Sequence, residues 1–268
     1  MTTRMPAVAG RFYPGSRQAL LAELGRYVSA ESEPRRAFGL MAPHAGYMYS
    51  GPVAGAVYAA AEIPGRLVIL CPNHTGHGRG LAMMGDGAWH TPLGDVPVDE
   101  PLAAELAARL PELEADEFAH RFEHSLEVQL PFLQYRREAF HFVPICIGTS
   151  RLETLLRLGD ALAGAVEAAG EPVLLVASSD MTHYESARQA SRKDHLAIRC
   201  LEALDPEGLA RTVREEEISM CGWAPAAAVA RACKKLGATR GELVRYATSG
   251  DVTGDMGSVV GYAGMLFL

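Results

Sequence analysis

The chain has 268 residues, 49% of them hydrophobic, and its 25 basic and 32 acidic side chains give a formal net charge of −7. This composition can bury a large core, and one domain over residues 1–268 is the simplest prediction because no linker, repeat or low-complexity segment appears. The acidic balance, with no basic run, argues against nucleic acid as a partner.

Short, continuously apolar segments alternate with helical patterns along the chain. The apolar segments are typical of strands buried on both faces, and the alternation predicts an α/β fold with a mostly parallel central sheet flanked by helices on both faces. Strands are predicted at 38–42, 66–71, 142–147 and 172–177, and helices at 52–61, 102–110, 125–135, 152–169, 186–204 and 224–236. Residues 79–100 are expected to form short strands and turns, and segments 243–248 and 258–267 predict antiparallel edge strands.

Neither the N-terminal segment nor any later stretch has the apolar length of a signal peptide or a membrane span. The five cysteines are widely spread and lack CxxC spacing. These features predict a cytoplasmic protein with reduced thiols and no membrane partner.

Histidines follow three of the predicted strands. His44 comes after 38–42, His74 after 66–71, and Asp180 and His183 after 172–177. Because ligands of open parallel sheets bind at the carboxyl ends of the strands, these side chains are expected to converge in one cleft. A single loop histidine is usually only a solvated surface residue. Three at successive strand ends predict a site, with His44 and His74 as metal ligands.

Cys221 is the candidate for a third ligand. It precedes a predicted helix that opens near Ala224, and a helix N-terminus lowers a thiol pKa and favours the metal-binding thiolate. A small buried core residue is the alternative, and it is the preferred interpretation for the other four cysteines, Cys71, Cys146, Cys200 and Cys233.

Three further residues are candidates for acid/base chemistry. His124 precedes Ser125, which is expected to cap a helix that carries His124 and Glu127 on one face. His124 and His183 would serve as acid/base groups or hydrogen-bond donors. Asp180 either orients a ligand imidazole or caps the following helix.

Seven segments together resemble the Memo family, whose prokaryotic branch is often called AmmeMemoRadiSam system protein B. In chain order they are PAVAGRFYP, APHAGYMYSGPVAGAVY, CPNHTGHG, EHSLEVQLPFLQ, SSDMTHY, CGWAPAAAV and TSGDVTGDMGSVVGYAGMLF. The resemblance implies a fold similar to class III extradiol dioxygenases, which are non-haem iron enzymes with two histidines and a carboxylate. It implies metal ligands at His44, His74 and Cys221, with His183, Asp180 and His124 around the same cleft.

Cysteine replaces the dioxygenase glutamate in this family, and a thiolate suits softer metals. The cofactor is therefore expected to be a divalent metal, Fe(II) first, with Cu or Zn as alternatives. The leading hypothesis is a dioxygenase-like, metal-dependent oxidoreductase acting on a small molecule or peptide. A metal-free module that binds a peptide or small anion and a zinc metallohydrolase stay open, as does a homo-oligomer.

Overall fold

The computed structural model describes residues 2–28 and 33–268. Its helices are α1 (Arg17–Tyr27), α2 (Tyr47–Ala60), α3 (Glu100–Arg109), α4 (Leu130–Arg136), α5 (Leu152–Ala169), α6 (Ala187–Glu202), α7 (Pro206–Glu215), α8 (Trp223–Lys235) and α9 (Gly250–Thr253). Its strands are β1 (Thr3–Arg4), β2 (Gly39–Ala42), β3 (Arg66–Pro72), β4 (Leu81–Met83), β5 (Ala88–Thr91), β6 (Gly94–Pro97), β7 (Glu114–Ala115), β8 (His141–Ile147), β9 (Val173–Ser178), β10 (His183–Glu185), β11 (Gly241–Thr248) and β12 (Val259–Phe267).

A mixed nine-stranded sheet forms the centre of the fold, in the order β10-β12-β2-β9-β3-β8-β4-β7, with β11 also paired to β12. The four inner strands β2, β9, β3 and β8 run parallel, whereas β12 pairs antiparallel with β2 and β4 with β8. The predicted α/β class, with a parallel centre and antiparallel outer strands, is confirmed. A second sheet of β1, β5 and β6 lies outside it.

Two apolar layers cover the sheet, because successive residues of each inner strand point to opposite faces. Met41 packs with α3, α5, α6, α7 and α8 on one face, and Leu40 and Ala42 pack with α1, α2 and α4 on the other. Between their first and last residues, the inner strands are therefore apolar at every position. No helix in the described part of the chain has the length and apolarity needed to cross a membrane.

Two predicted helices differ in the structure. α2 begins at Tyr47 and so contains Pro52 in its interior, although a proline is usually a start signal. The helix predicted at 125–135 is a 3-10 helix, Glu127–Gln129, followed by α4. Its cap prediction was wrong, because the Ser125 hydroxyl binds the Glu123 carboxylate instead. α1 and α7 were missed.

His120 is fully buried against the sheet, with its ring edge-on to Trp89 at a centroid distance of 5.6 Å. The Arg4 guanidinium lies over the same indole, 4.2 Å from its centroid. Burial, and then the Arg4 charge, lower the pKa of His120 to about 4. The folded protein therefore holds this imidazole in its neutral form.

We expect His120 to make folding sensitive to acid. Its pKa is about 4 when folded against 6.5 as an ordinary imidazole. The contribution of neutral His120 to the free energy of unfolding is thus fully present above pH 6.5. The free energy of unfolding then falls by on the order of 3 kcal/mol as the pH drops from 6.5 to 4. His120→Phe should flatten this part of the curve of unfolding free energy against pH, measured by urea denaturation, whereas His90→Phe, at a more exposed position, should not. Equal slopes in all three proteins would contradict this.

Candidate metal centre

The inner strands bring the predicted residues to one edge of the sheet. His44 lies two residues beyond the end of β2, His74 two beyond β3, and Asp180 two beyond β9. Since these strands are parallel neighbours in the order β2-β9-β3, their carboxyl ends are adjacent. The loops that follow them therefore share one cleft.

His44, His74 and Cys221 form a compact group. Their nearest ligand atoms all lie within 4.8 Å of one another, and Cys221 Sγ is 3.2 Å from His44 Nε2. The thiol reaches the two imidazoles because Gly222 lets the start of α8 pack on the end of β9. A Cβ at Gly222 would lie 2.3 Å from the Ser178 carbonyl oxygen. Two imidazole nitrogens and a sulfur are a donor set that fits a divalent transition metal.

Glu123 holds His74 at two points. One carboxylate oxygen accepts from His74 Nδ1 at 2.9 Å and the other from the His74 backbone N–H at 2.6 Å. Ser125 also donates to Glu123 through its N–H and its hydroxyl. Burial raises the pKa of the Glu123 carboxyl, but the hydrogen bonds from His74 and Ser125 outweigh it and lower the pKa to about 2. The bond at Nδ1 leaves Nε2 as the nitrogen of the His74 ring that this carboxylate does not bind.

Sequence reasoning missed Glu123 and considered Glu127 instead. Glu127 is fully buried as well, but its carboxylate accepts from Arg4, Tyr13 and the backbone of Ala7 and Val8. It therefore fastens the N-terminal segment and does not share a site face with His124. One signal in the sequence could have indicated Glu123: it directly precedes His124, four residues before Glu127.

Asp180 supports the backbone of His44 and does not cap a helix. Its carboxylate accepts from the His44 N–H at 2.7 Å, and its second oxygen lies 4.0 Å from His44 Nε2. The helix-cap alternative was wrong, because the next element is β10 and Ser186 caps α6. Burial raises the pKa of Asp180 to about 6, and burial also lowers the pKa of His44 well below its usual value.

His124 completes a cluster of three imidazoles. Its ring stacks on His74 at a centroid distance of 4.9 Å and lies edge-on to His44 at 5.6 Å. His74, Glu123 and His124 are a second group with ligand atoms within 4.8 Å of one another. The Glu123 oxygen nearest to His124, at 3.5 Å, already accepts from His74 and twice from Ser125. This carboxylate is therefore better suited to orienting His74 than to binding an ion.

His183 lies on the wall of the cleft and is half-buried. Its Nδ1 donates to the Ser219 carbonyl at 3.0 Å, and its backbone N–H donates to the Ser219 hydroxyl. The ring is thereby fixed with Nε2 as its free nitrogen. His44, His124 and Asp180 line the same cleft.

The cleft has a volume of about 510 Å³. Aromatic rings form much of its wall, and the described residues that line it include no lysine or arginine. The aromatic residues are Phe12, Tyr49, Tyr184 and Tyr262. This wall suits a small molecule with an apolar or aromatic body, and it offers no fixed cationic side chain to a free anion.

The thiol of Cys221 differs from the expectation based on its helix. Cys221 precedes the N-cap Gly222 of α8, so its sulfur was expected to have a lowered pKa. Burial, and then the nearby Asp180 charge, instead raise the pKa of the Cys221 thiol. The metal-free protein therefore favours the neutral thiol, with His44 Nε2 as its neighbour.

Comparison with known proteins places this chain in a family. A family model described as Memo-like protein matches residues 4–266. A MEMO1 family protein of Methanopyrus kandleri is 45% identical over 98% of each chain. Another from Methanothermobacter thermautotrophicus is 44% identical over 97% of this chain and 98% of its own length. A third from Aquifex aeolicus is 42% identical over the full length of both.

A solved structure has the same fold. The crystal structure of an uncharacterized protein from Escherichia coli K12 matches with a TM-score of 0.53 at 18% identity, covering 86% of this chain and all of that one. The sequence resemblance is confirmed by the family model and by the relatives at 42% to 45% identity. The chain belongs to the Memo-like protein family.

Proposed function

We propose that this chain is a metal-dependent, oxidoreductase-like protein that binds one divalent ion through His44 Nε2, His74 Nε2 and Cys221 Sγ. The observation that carries the proposal is the meeting of these three donors, distant in sequence, within 4.8 Å of one another. Two hydrogen bonds support the proposal, from His44 Nδ1 to Ser178 and from His74 Nδ1 to Glu123. Each leaves Nε2 as the nitrogen available to the ion.

Three protein donors leave coordination positions free, which is typical of catalytic rather than structural metal sites. Fe(II) is the proposed ion, and Cu or Zn are the alternatives that a thiolate ligand also suits. A redox-active ion held here would supply electron transfer to dioxygen or to a small substrate.

The remaining cleft residues are assigned to substrate binding and proton transfer. His183 presents Nε2 as a proton donor or acceptor, since its Nδ1 is engaged by Ser219. His124 lies beside both ligand imidazoles and would take a second proton-transfer or hydrogen-bonding role, while Asp180 holds the loop of His44. The proposed substrate is a small molecule or the side chain of a peptide that fits the aromatic cleft.

The test is a metal analysis of protein expressed and purified without oxygen. We expect about one ion per chain by mass spectrometry, and dioxygen consumption by the iron or copper form but not by the chelated protein. Zinc as the only bound ion, with turnover of a model ester, would favour a metallohydrolase instead. Failure to bind Fe(II), Cu or Zn on reconstitution would contradict the proposal and leave a metal-free binding module.

A further inference from the structure

A buried chain of polar side chains connects the core to His44. Tyr58 OH donates to Gln129 Oε1 at 2.9 Å, and Gln129 Nε2 donates to the Ser178 hydroxyl at 2.8 Å. The Ser178 oxygen lies 2.9 Å from His44 Nδ1. Tyr58, Gln129 and Ser178 have no exposed surface, so water does not compete for these bonds. Polar groups buried this deeply are costly unless every bond is made.

Counting donors and acceptors fixes the direction of each bond. Gln129 Nε2 also donates to the Pro43 carbonyl at 3.0 Å, so the amide cannot be turned round without setting two acceptors against each other. The single hydroxyl proton of Ser178 goes to the Ser125 carbonyl, 2.6 Å away. Ser178 can therefore only accept from His44, and His44 must carry its proton on Nδ1.

We infer that Gln129 and Ser178 are positioning residues that lock His44 in the Nδ1–H tautomer, so that its Nε2 lone pair always faces Cys221. This series of hydrogen bonds selects one of the two neutral tautomers of the His44 imidazole before any ion binds. The consequence for metal affinity rests on the proposed function, but the tautomer itself is a property of the metal-free protein.

The first measurement is made on chelator-treated protein labelled with ¹⁵N-histidine. Long-range ¹H–¹⁵N correlation spectra distinguish the two tautomers, and the His44 signals are assigned by their loss in His44→Asn. We expect a protonated Nδ1 and a bare Nε2 in the wild type. A His44 protonated on Nε2 in the wild type would overturn the inference without any variant, and without bearing on whether a metal binds.

The second measurement compares variants at two links of the chain. Ser178→Ala removes the acceptor for Nδ1–H, so the Nε2–H form should appear and Zn(II) affinity, measured by competition with a chromophoric chelator, should fall about tenfold to a hundredfold. Ser178→Thr keeps the hydroxyl and should restore both readouts. Unchanged tautomer and Zn(II) affinity in Ser178→Ala would overturn the inference, as would failure of Ser178→Thr to restore the Nδ1–H form.

Helix α2 supplies a matched pair of controls. Tyr58 and Tyr47 are both fully buried, and the hydroxyl of each donates to a residue of the 3-10 helix Glu127–Gln129. Tyr47 donates to the Val128 carbonyl and so lies outside the chain of hydrogen bonds that ends at His44. Both Tyr→Phe variants lose one buried hydrogen bond and should be destabilised to a similar extent. Neither variant should shift the His44 tautomer, because Pro43 still fixes the Gln129 amide and Ser125 still takes the Ser178 proton. A shift in either variant as large as that in Ser178→Ala would overturn the inference, because general loosening of the core would then explain the change.

Discussion

Removal of one proposed ligand should abolish stoichiometric metal binding. His44→Ala removes a nitrogen donor, and Cys221→Ser replaces an ionisable thiol by a hydroxyl that stays protonated at neutral pH. Each is expected to weaken metal affinity by more than about a hundredfold, beyond the loss typical of residues that only support a ligand. Metal per chain after desalting, measured by mass spectrometry, should fall from about one to near zero.

Matched controls come from the same residue types elsewhere in the chain. His90 is a partly exposed histidine paired with Asp95, and Cys200 is a half-buried cysteine on α6. His90→Ala and Cys200→Ser should keep the wild-type metal content. Equal metal in the wild type, His44→Ala and Cys221→Ser would remove the proposed site, provided that circular dichroism shows all of them folded.

The second large effect is expected at Glu123, with Glu127 as its control. Every group that binds either carboxylate is a hydrogen-bond donor. In both Glu→Gln variants the new amide NH₂ therefore faces another donor, and at least one hydrogen bond is lost. Each substitution should cost on the order of 2–4 kcal/mol in the free energy of unfolding. Only Glu123→Gln should also weaken Zn(II) binding, about tenfold to a hundredfold, because only Glu123 orients a proposed ligand.

The pH dependence gives an independent check on Glu123. Its pKa is lowered from 4.5 to about 2, so its charge stabilises the folded state fully above pH 4.5. This contribution, on the order of 3 kcal/mol, is lost as the pH falls through 2. The stability difference between the wild type and Glu123→Gln should therefore shrink in strong acid. A Zn(II) affinity that falls equally in Glu123→Gln and Glu127→Gln would show that neither carboxylate has a specific role at His74.

The parallel centre of the sheet could be predicted from the sequence because the interiors of strands covered on both faces are continuously apolar. The convergence of His44, His74 and Asp180 followed from that one inference, since parallel strands end at a common edge. α1 and α7 were not predicted, although Ser16 and Asp205 stand at their N-caps and are start signals visible in the sequence.

The contacts that tune the site could not be read from spacing. A helix start beside Cys221 is visible in the sequence, but the burial and the Asp180 charge that raise the pKa of its thiol depend on tertiary packing. Glu123 and Gln129 gave a weaker signal, namely polar residues set among apolar neighbours at 118–133. Their roles depend on partners roughly fifty residues away in sequence, His74 and Ser178.

The contacts of Arg4 have a consequence for how the protein is made. Arg4 binds the backbone of His120 and Glu123 and the carboxylate of Glu127, so it ties the N-terminal segment to residues 120–127. Arg4 therefore leaves the ribosome before its partners, which are translated more than a hundred codons later, and Cys221 follows later still. The proposed donor set is incomplete until Cys221 has emerged, so an ion that needs all three donors would be acquired only after that point.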